Sequence, residues 1–184
     1  MSDIKNDIIY ETSKLETQFV KESAEFMYQS TDVKKEYTYD EVQSWFTQTQ
    51  KWEMVNGIPY AMASASPRHQ EISGKLAHKI ETYLSGKECR LFTTLEVRLD
   101  FKKGKDTFLI PDLLVLCDKS KLGKRGVEGA PDIVIEILSP STGRHDRLLK
   151  RNWYAQAGVK EYWIVDPEHE IIEVSTLGDD GIYS

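Results

Sequence analysis

Residues 129–142 read GAPDIVIEILSPST, and the fold turns on this stretch. Its centre, DIVIEILS (132–139), is a near-continuous apolar run, and FLIPDLLVLC (108–117) is another. Strands covered on both faces have that composition, whereas strands with one wet face alternate. LFTTLEVRLDF (91–101) does alternate. Leu91, Leu95, Val97, Leu99 and Phe101 point one way and Glu96, Arg98 and Asp100 the other, which predicts a single half-exposed strand.

Around these strands the chain supplies helices and turns. Thr38-Tyr-Asp-Glu41 is a capping box that starts a helix over about 39–49. WEMVNGIPYAMA (52–63) reads as a hairpin turning at Asn56-Gly57. Ser66-Pro67 starts a helix whose buried stripe is Ile72, Leu76, Ile80, Tyr83 and Leu84, stopped at Gly86. A helix over 144–157 ends at Gly158, and EYWIVD and EIIEVST form two strands about Asp166-Pro167. The expected fold is mixed α/β (α+β), with helices packed on one central mixed sheet. Residues 1–36 carry a thin apolar stripe (Ile4, Ile8, Leu15, Phe19, Phe26) and read as a helical or partly disordered extension before a domain over 37–184.

Composition excludes several functions. The 184 residues are 40% hydrophobic and 29% charged, as in soluble globular proteins. No apolar run approaches the ~20 residues of a membrane span, and MSDIKNDIIYE has no signal-peptide pattern, so a cytoplasmic location is expected. The four histidines show no zinc spacing, and Cys89 and Cys117 read as free thiols in a reducing compartment. A net charge of −6 argues against a wholly basic nucleic-acid binder. Yet residues 102–125 carry seven Lys/Arg against three Asp, and residues 142–160 five against one.

Each central strand holds one carboxylate, Asp112 or Glu136. A buried unpaired charge costs several kcal/mol, so each needs a cationic partner, a place in solvent at a strand end, or a metal. Two acids on neighbouring strands ~4.8 Å apart can share one divalent ion. Asp132 also follows a proline, but it lies four residues before Glu136 on the same strand, ~13 Å away, too far for that ion.

Pro111-Asp112 followed by Glu136-Ile137-Leu138 resembles the PD-(D/E)xK nucleases, the restriction-endonuclease-like superfamily. WEMVNGIPYAM (52–62), SPRHQ (66–70), IPDLLVLCD (110–118), GAPDIVIEILSPST (129–142) and DRLLKRNWYAQAGVKEYWIVDP (146–167) resemble more closely the Uma family of bacterial endonuclease-like proteins, long catalogued as a domain of unknown function. The resemblance covers about residues 38–176. It implies a restriction-endonuclease-like core in which Asp112 and Glu136 hold Mg²⁺ (or Mn²⁺), with Glu53 matching an upstream acid of the metal site. Where the superfamily usually has lysine, two residues after the glutamate, stands Leu138; the lysine implied for catalysis is Lys150 on the following helix. The plain alternatives are an exposed Glu53 beside a hairpin, and a helix-surface Lys150 paired with Asp146.

Arg144, Arg147, Arg151 and His69 are candidate nucleic-acid contacts. The resemblance thus implies an Mg²⁺-dependent endonuclease cutting DNA phosphodiester bonds, with a homodimer compatible with duplex cleavage. The alternatives are a catalytically inactive nuclease fold kept as a DNA- or protein-binding module, and a small-molecule phosphohydrolase. Family members usually run on past the last strand here, so the domain is expected to be shortened or cut at its C-terminus.

Overall fold

The computed structural model describes residues 36–48, 50–99, 106–139 and 146–184. The Ile4–Phe26 stripe, Asp100, Phe101 and Arg144 lie outside the described residues.

Among the described residues ten strands form two five-stranded mixed sheets. The first runs β2 (Ile58–Ala61), β1 (Trp52–Val55), β5 (Phe108–Leu109), β4 (Glu96–Arg98), β7 (Gly126–Glu128). The second runs β10 (Ile171–Thr176), β9 (Glu161–Asp166), β8 (Ile133–Ile137), β6 (Leu113–Leu116), β3 (Arg90–Thr93). Among the described residues three α-helices accompany them: α1 (Tyr39–Gln43), α2 (Pro67–Leu84) and α3 (Arg151–Ala157), the last preceded by a π-helical turn, Asp146–Lys150. The mixed α+β class is as expected, but the single sheet is two.

The division falls where two apolar runs break. LFTTLEVRLDF contributes β3 to one sheet and β4 to the other, with Thr94 between them at φ 49°. FLIPDLLVLC does the same through β5 and β6, interrupted at Ile110-Pro111-Asp112. Proline cannot donate to a ladder, so a central strand breaks there. Both crossings keep one antiparallel register, from Arg90↔Leu116 to Arg98↔Phe108. The amide of Thr94 donating to the Asp112 carbonyl carries it across the bend (3.0 Å). The two segments therefore form one long hairpin, bent where it passes between sheets.

The bend corrects the expectation of an outward Glu96. Its side chain is buried and accepts from the Tyr39 hydroxyl (2.8 Å) and Gln43 Nε2 (2.9 Å). Burial raises its pKa, and these two donors counter only part of the rise.

Local signals act as expected. Thr38 and Glu41 close their capping box, and the Ser66 hydroxyl accepts from the His69 amide. Asn56 and Gly57 both take positive φ, 51° and 81°, so β1 and β2 close tightly. α1 is shorter than expected, ending at Gln43. α2 lays Ile72, Leu76 and Ile80 on Leu113, Ile135, Ile137 and Val165 of the second sheet. Tyr83, expected in that stripe, is exposed beneath the Lys87 ammonium, 3.1 Å from its ring centroid. The first sheet packs Met54 and Phe108 against Tyr39 and Val42 of α1. Gly126 is required where β7 meets β4, because a Cβ there would lie 2.1 Å from the Glu96 carbonyl oxygen.

The free-thiol reading is overturned: Cys89 and Cys117 form a disulfide. Extending the β3–β6 register one pair beyond Arg90↔Leu116 sets the two cysteines opposite each other. Among the described residues no helix is long and apolar enough to cross a membrane.

Candidate active site

Strand alternation decides which side chains meet. On β8, Ile135 and Ile137 face α2, which sends Glu136 to the opposite face, beneath the π-helical turn and α3. On antiparallel β6, the pair after Leu113↔Ile135 brings Asp112 opposite Glu136. The bend holds Asp112 there: its Oδ2 accepts from the Ile137 amide (2.8 Å) and lies 3.1 Å from His69 Nε2. Glu53 comes from β1 of the other sheet, and its Oε1 accepts from the Ile110 amide (2.9 Å), two residues before Asp112.

Lys150 ties the two sheets together. Its Nζ donates to Glu53 Oε1 and to Glu136 Oε1, both at 2.9 Å, and lies 3.6 Å from Asp146 Oδ1. All four side chains are no more than 6% exposed. This corrects two plain readings. Lys150 keeps its contact with Asp146 but is a buried hub, not a helix-surface residue, and Glu53 is buried rather than exposed beside its hairpin. The π-helical turn matters, since such one-turn widenings alter the direction of side chains and recur at functional sites.

The electrostatics follow from this enclosure. Burial pushes the Glu136 carboxyl well above its usual range; Lys150 opposes the shift, while Asp146, Asp112 and Glu53 add to it. For Lys150, burial favours the neutral amine, but Glu136, Glu53 and Asp146 outweigh it and hold the pKa well above the ordinary lysine value. It is a fixed cation at neutral pH. The Tyr154 hydroxyl donates to Glu136 Oε1 (3.2 Å), and burial raises its pKa as well.

The remaining candidates sit apart from this hub. Asp132 Oδ2 accepts from the Cys117 amide and its Oδ1 from Lys160 Nζ, at the far end of β8. Arg147 bonds Asp166 (2.7 Å) and Glu173; Arg151 donates to the Tyr183 carbonyl (2.8 Å). The sequence offers Asp146 only as a helix-surface partner of Lys150, and Tyr154 only as a core residue of the same helix. Asp146 stands one turn before Lys150, the usual spacing of a surface pair, so only burial distinguishes it.

The donor set suits a hard divalent cation. Glu53, Glu136 and Asp146 face one ammonium, and Asp112 lies near Glu136; after burial, repulsion among these carboxylates adds to the raised Glu136 pKa. Among the described residues no three His, Cys, Asp or Glu side chains converge as a cage. Mg²⁺ does not need one, since it commonly binds through one or two carboxylates and keeps several waters.

Residues 37–184 match the family Uma2, described as "Putative restriction endonuclease". The chain belongs to the Uma2 family. An uncharacterised protein of Synechocystis sp., slr1290, is 29% identical over 136 residues, 73% of this chain and 70% of the relative. A crystal structure from Anabaena variabilis, described as a "putative nuclease belonging to DUF820", superposes with a TM-score of 0.61 at 21% identity. The match covers 74% of this chain and 78% of the other, and it shows the Uma2 chain's fold to be that of this nuclease-like neighbour.

Proposed function

We propose that this Uma2 protein is an Mg²⁺-dependent endonuclease that hydrolyses DNA phosphodiester bonds. The observation that carries the reading is the Lys150 ammonium, bonded to Glu136 and Glu53 on two different sheets, with Asp112 opposite Glu136. Asp112 and Glu136 would hold the cation, with Glu53 contributing to the same negative site. Bound there, Mg²⁺ would polarise the phosphate and lower the pKa of a coordinated water.

The protein's own groups have distinct tasks. Lys150, held between Glu136 and Glu53, donates hydrogen bonds that orient the attacking water or steady charge on the phosphate. Tyr154 and the Ile110 amide hold Glu136 and Glu53 in place by hydrogen bonds. Arg147 and Arg151, bonded to Asp166, Glu173 and the Tyr183 carbonyl apart from the hub, have no part in this step.

Calorimetry with Mn²⁺, together with Mg²⁺-dependent nicking of supercoiled plasmid, tests the reading. The unaltered protein should do both, and Asp112→Asn should lose most of both. Equal Mn²⁺ binding in the variant would remove the metal site. Salt-sensitive DNA binding without nicking would favour the binding module, and cleavage of free nucleotides but not duplex would favour a phosphohydrolase.

A further inference from the structure

His69 opens α2 in its first turn, and the turn is built to place it. Ser66 caps the helix by accepting from the His69 amide (3.2 Å), and Pro67 fixes the first helical residue. Ile72, Leu76 and Ile80 then bolt the helix to the second sheet. The imidazole is thereby carried over the end of β6, its side chain only 11% exposed. Its Nε2 lies 3.1 Å from Asp112 Oδ2, and its Nδ1 is buried with no hydrogen-bond partner.

With Nδ1 lacking an acceptor, the ring's proton belongs on Nε2, where it is donated to Asp112. Oδ2 therefore takes two donors, Nε2–H of His69 and the Ile137 amide. Among the described residues nothing bonds Oδ1. One oxygen is clamped from two sides and the other is left over, which fixes the plane of the carboxylate. A ligating group oriented by a hydrogen bond from behind is a recurrent arrangement, and its loss typically costs 10–100-fold in metal affinity.

We infer that His69 is a positioning residue for Asp112, holding its carboxylate so that Oδ1 is presented to a divalent cation, rather than a contact for nucleic acid. The inference rests on the proposed metal site. Ile137 alone cannot do this, because a single amide bond leaves the carboxylate free to rotate about it. The His69 ring supplies the second point of attachment, from a helix rather than from the strands.

The test is Mn²⁺ calorimetry on the full chain and on three variants, with thermal melts in the absence of metal. Asp112→Asn is the reference for loss of the site. His69→Phe keeps the ring's bulk but removes the donor, and should weaken Mn²⁺ binding by about 10–100-fold. His69→Gln, which retains a side-chain N–H at similar reach, should recover most of that loss. A purely structural His69 would shift the melts without a donor-dependent change in affinity. Mn²⁺ affinity in His69→Phe equal to that of the unaltered protein, or equally weak binding in the Phe and Gln variants, would overturn the positioning role alone. An unaltered protein that binds no Mn²⁺ would overturn the metal site, and the role of His69 with it.

Discussion

With Lys150 enclosed by Glu53, Glu136 and Asp146, removing its charge leaves three buried carboxylates without a counter-ion. Lys150→Met should therefore destabilise the fold by about 3–5 kcal/mol at pH 7, read from urea unfolding. It should also slow single-turnover cleavage by about two to three orders of magnitude. The pH dependence has a definite sign. Lys150's pKa is raised in the folded protein, so its stabilisation is complete at neutral pH and fades only as pH climbs through that raised value. The stability gap between the two proteins should not narrow between pH 7 and pH 9; a gap that closes by pH 9 would show that the ammonium is not held as described. Asp112 and Glu136 are legible in the sequence because a charge inside an apolar run stands out locally. Burial of Glu53 is not, since it depends on which strand lies beside β1.

Individual elements are fastened by single carboxylates at their ends. Asp166 closes β9: Oδ1 accepts from the amides of Glu168 and His169, and Oδ2 meets the His169 ring and Arg147. The His169 amide and ring, with the Glu168 amide, push its pKa down to about 2. A carboxylate whose pKa falls on folding contributes stability above its unfolded value near 3.8, and the contribution is lost as pH drops towards 2. Asp166→Asn should thus be less stable than the unaltered protein at pH 6, and the difference should shrink between pH 4 and pH 2 in acid melts. A constant difference across that window would assign the loss to packing. Helix caps and the Asn56-Gly57 turn are readable because their partners lie three or four residues away. The split of LFTTLEVRLDF between sheets is not, because its alternation is continuous and only its partner strand carries a proline. The Cys89–Cys117 bridge is hidden for a related reason: it follows from strand register, and register joins residues distant in sequence.

On the scale of the whole molecule, the apolar clusters that pack on the two sheets draw, among the described residues, on positions from Tyr37 to Val165. Deleting residues 1–35 should therefore leave a domain that unfolds cooperatively, as judged by coincident circular dichroism and fluorescence transitions. Loss of cooperativity would place the Ile4–Phe26 stripe within the core. The shared register of the bent hairpin bears, finally, on where this chain tolerates changes in length. Residues added beyond the Leu99–Thr107 pair, in the connection between β4 and β5, leave every pairing on the way to Asp112 intact. One residue added between Thr94 and Leu95 would put β3 and β4 out of step on the same partner strand, and Asp112 could keep its place beside only one of them. Relatives should thus vary freely in that connection and hardly at all at the bend.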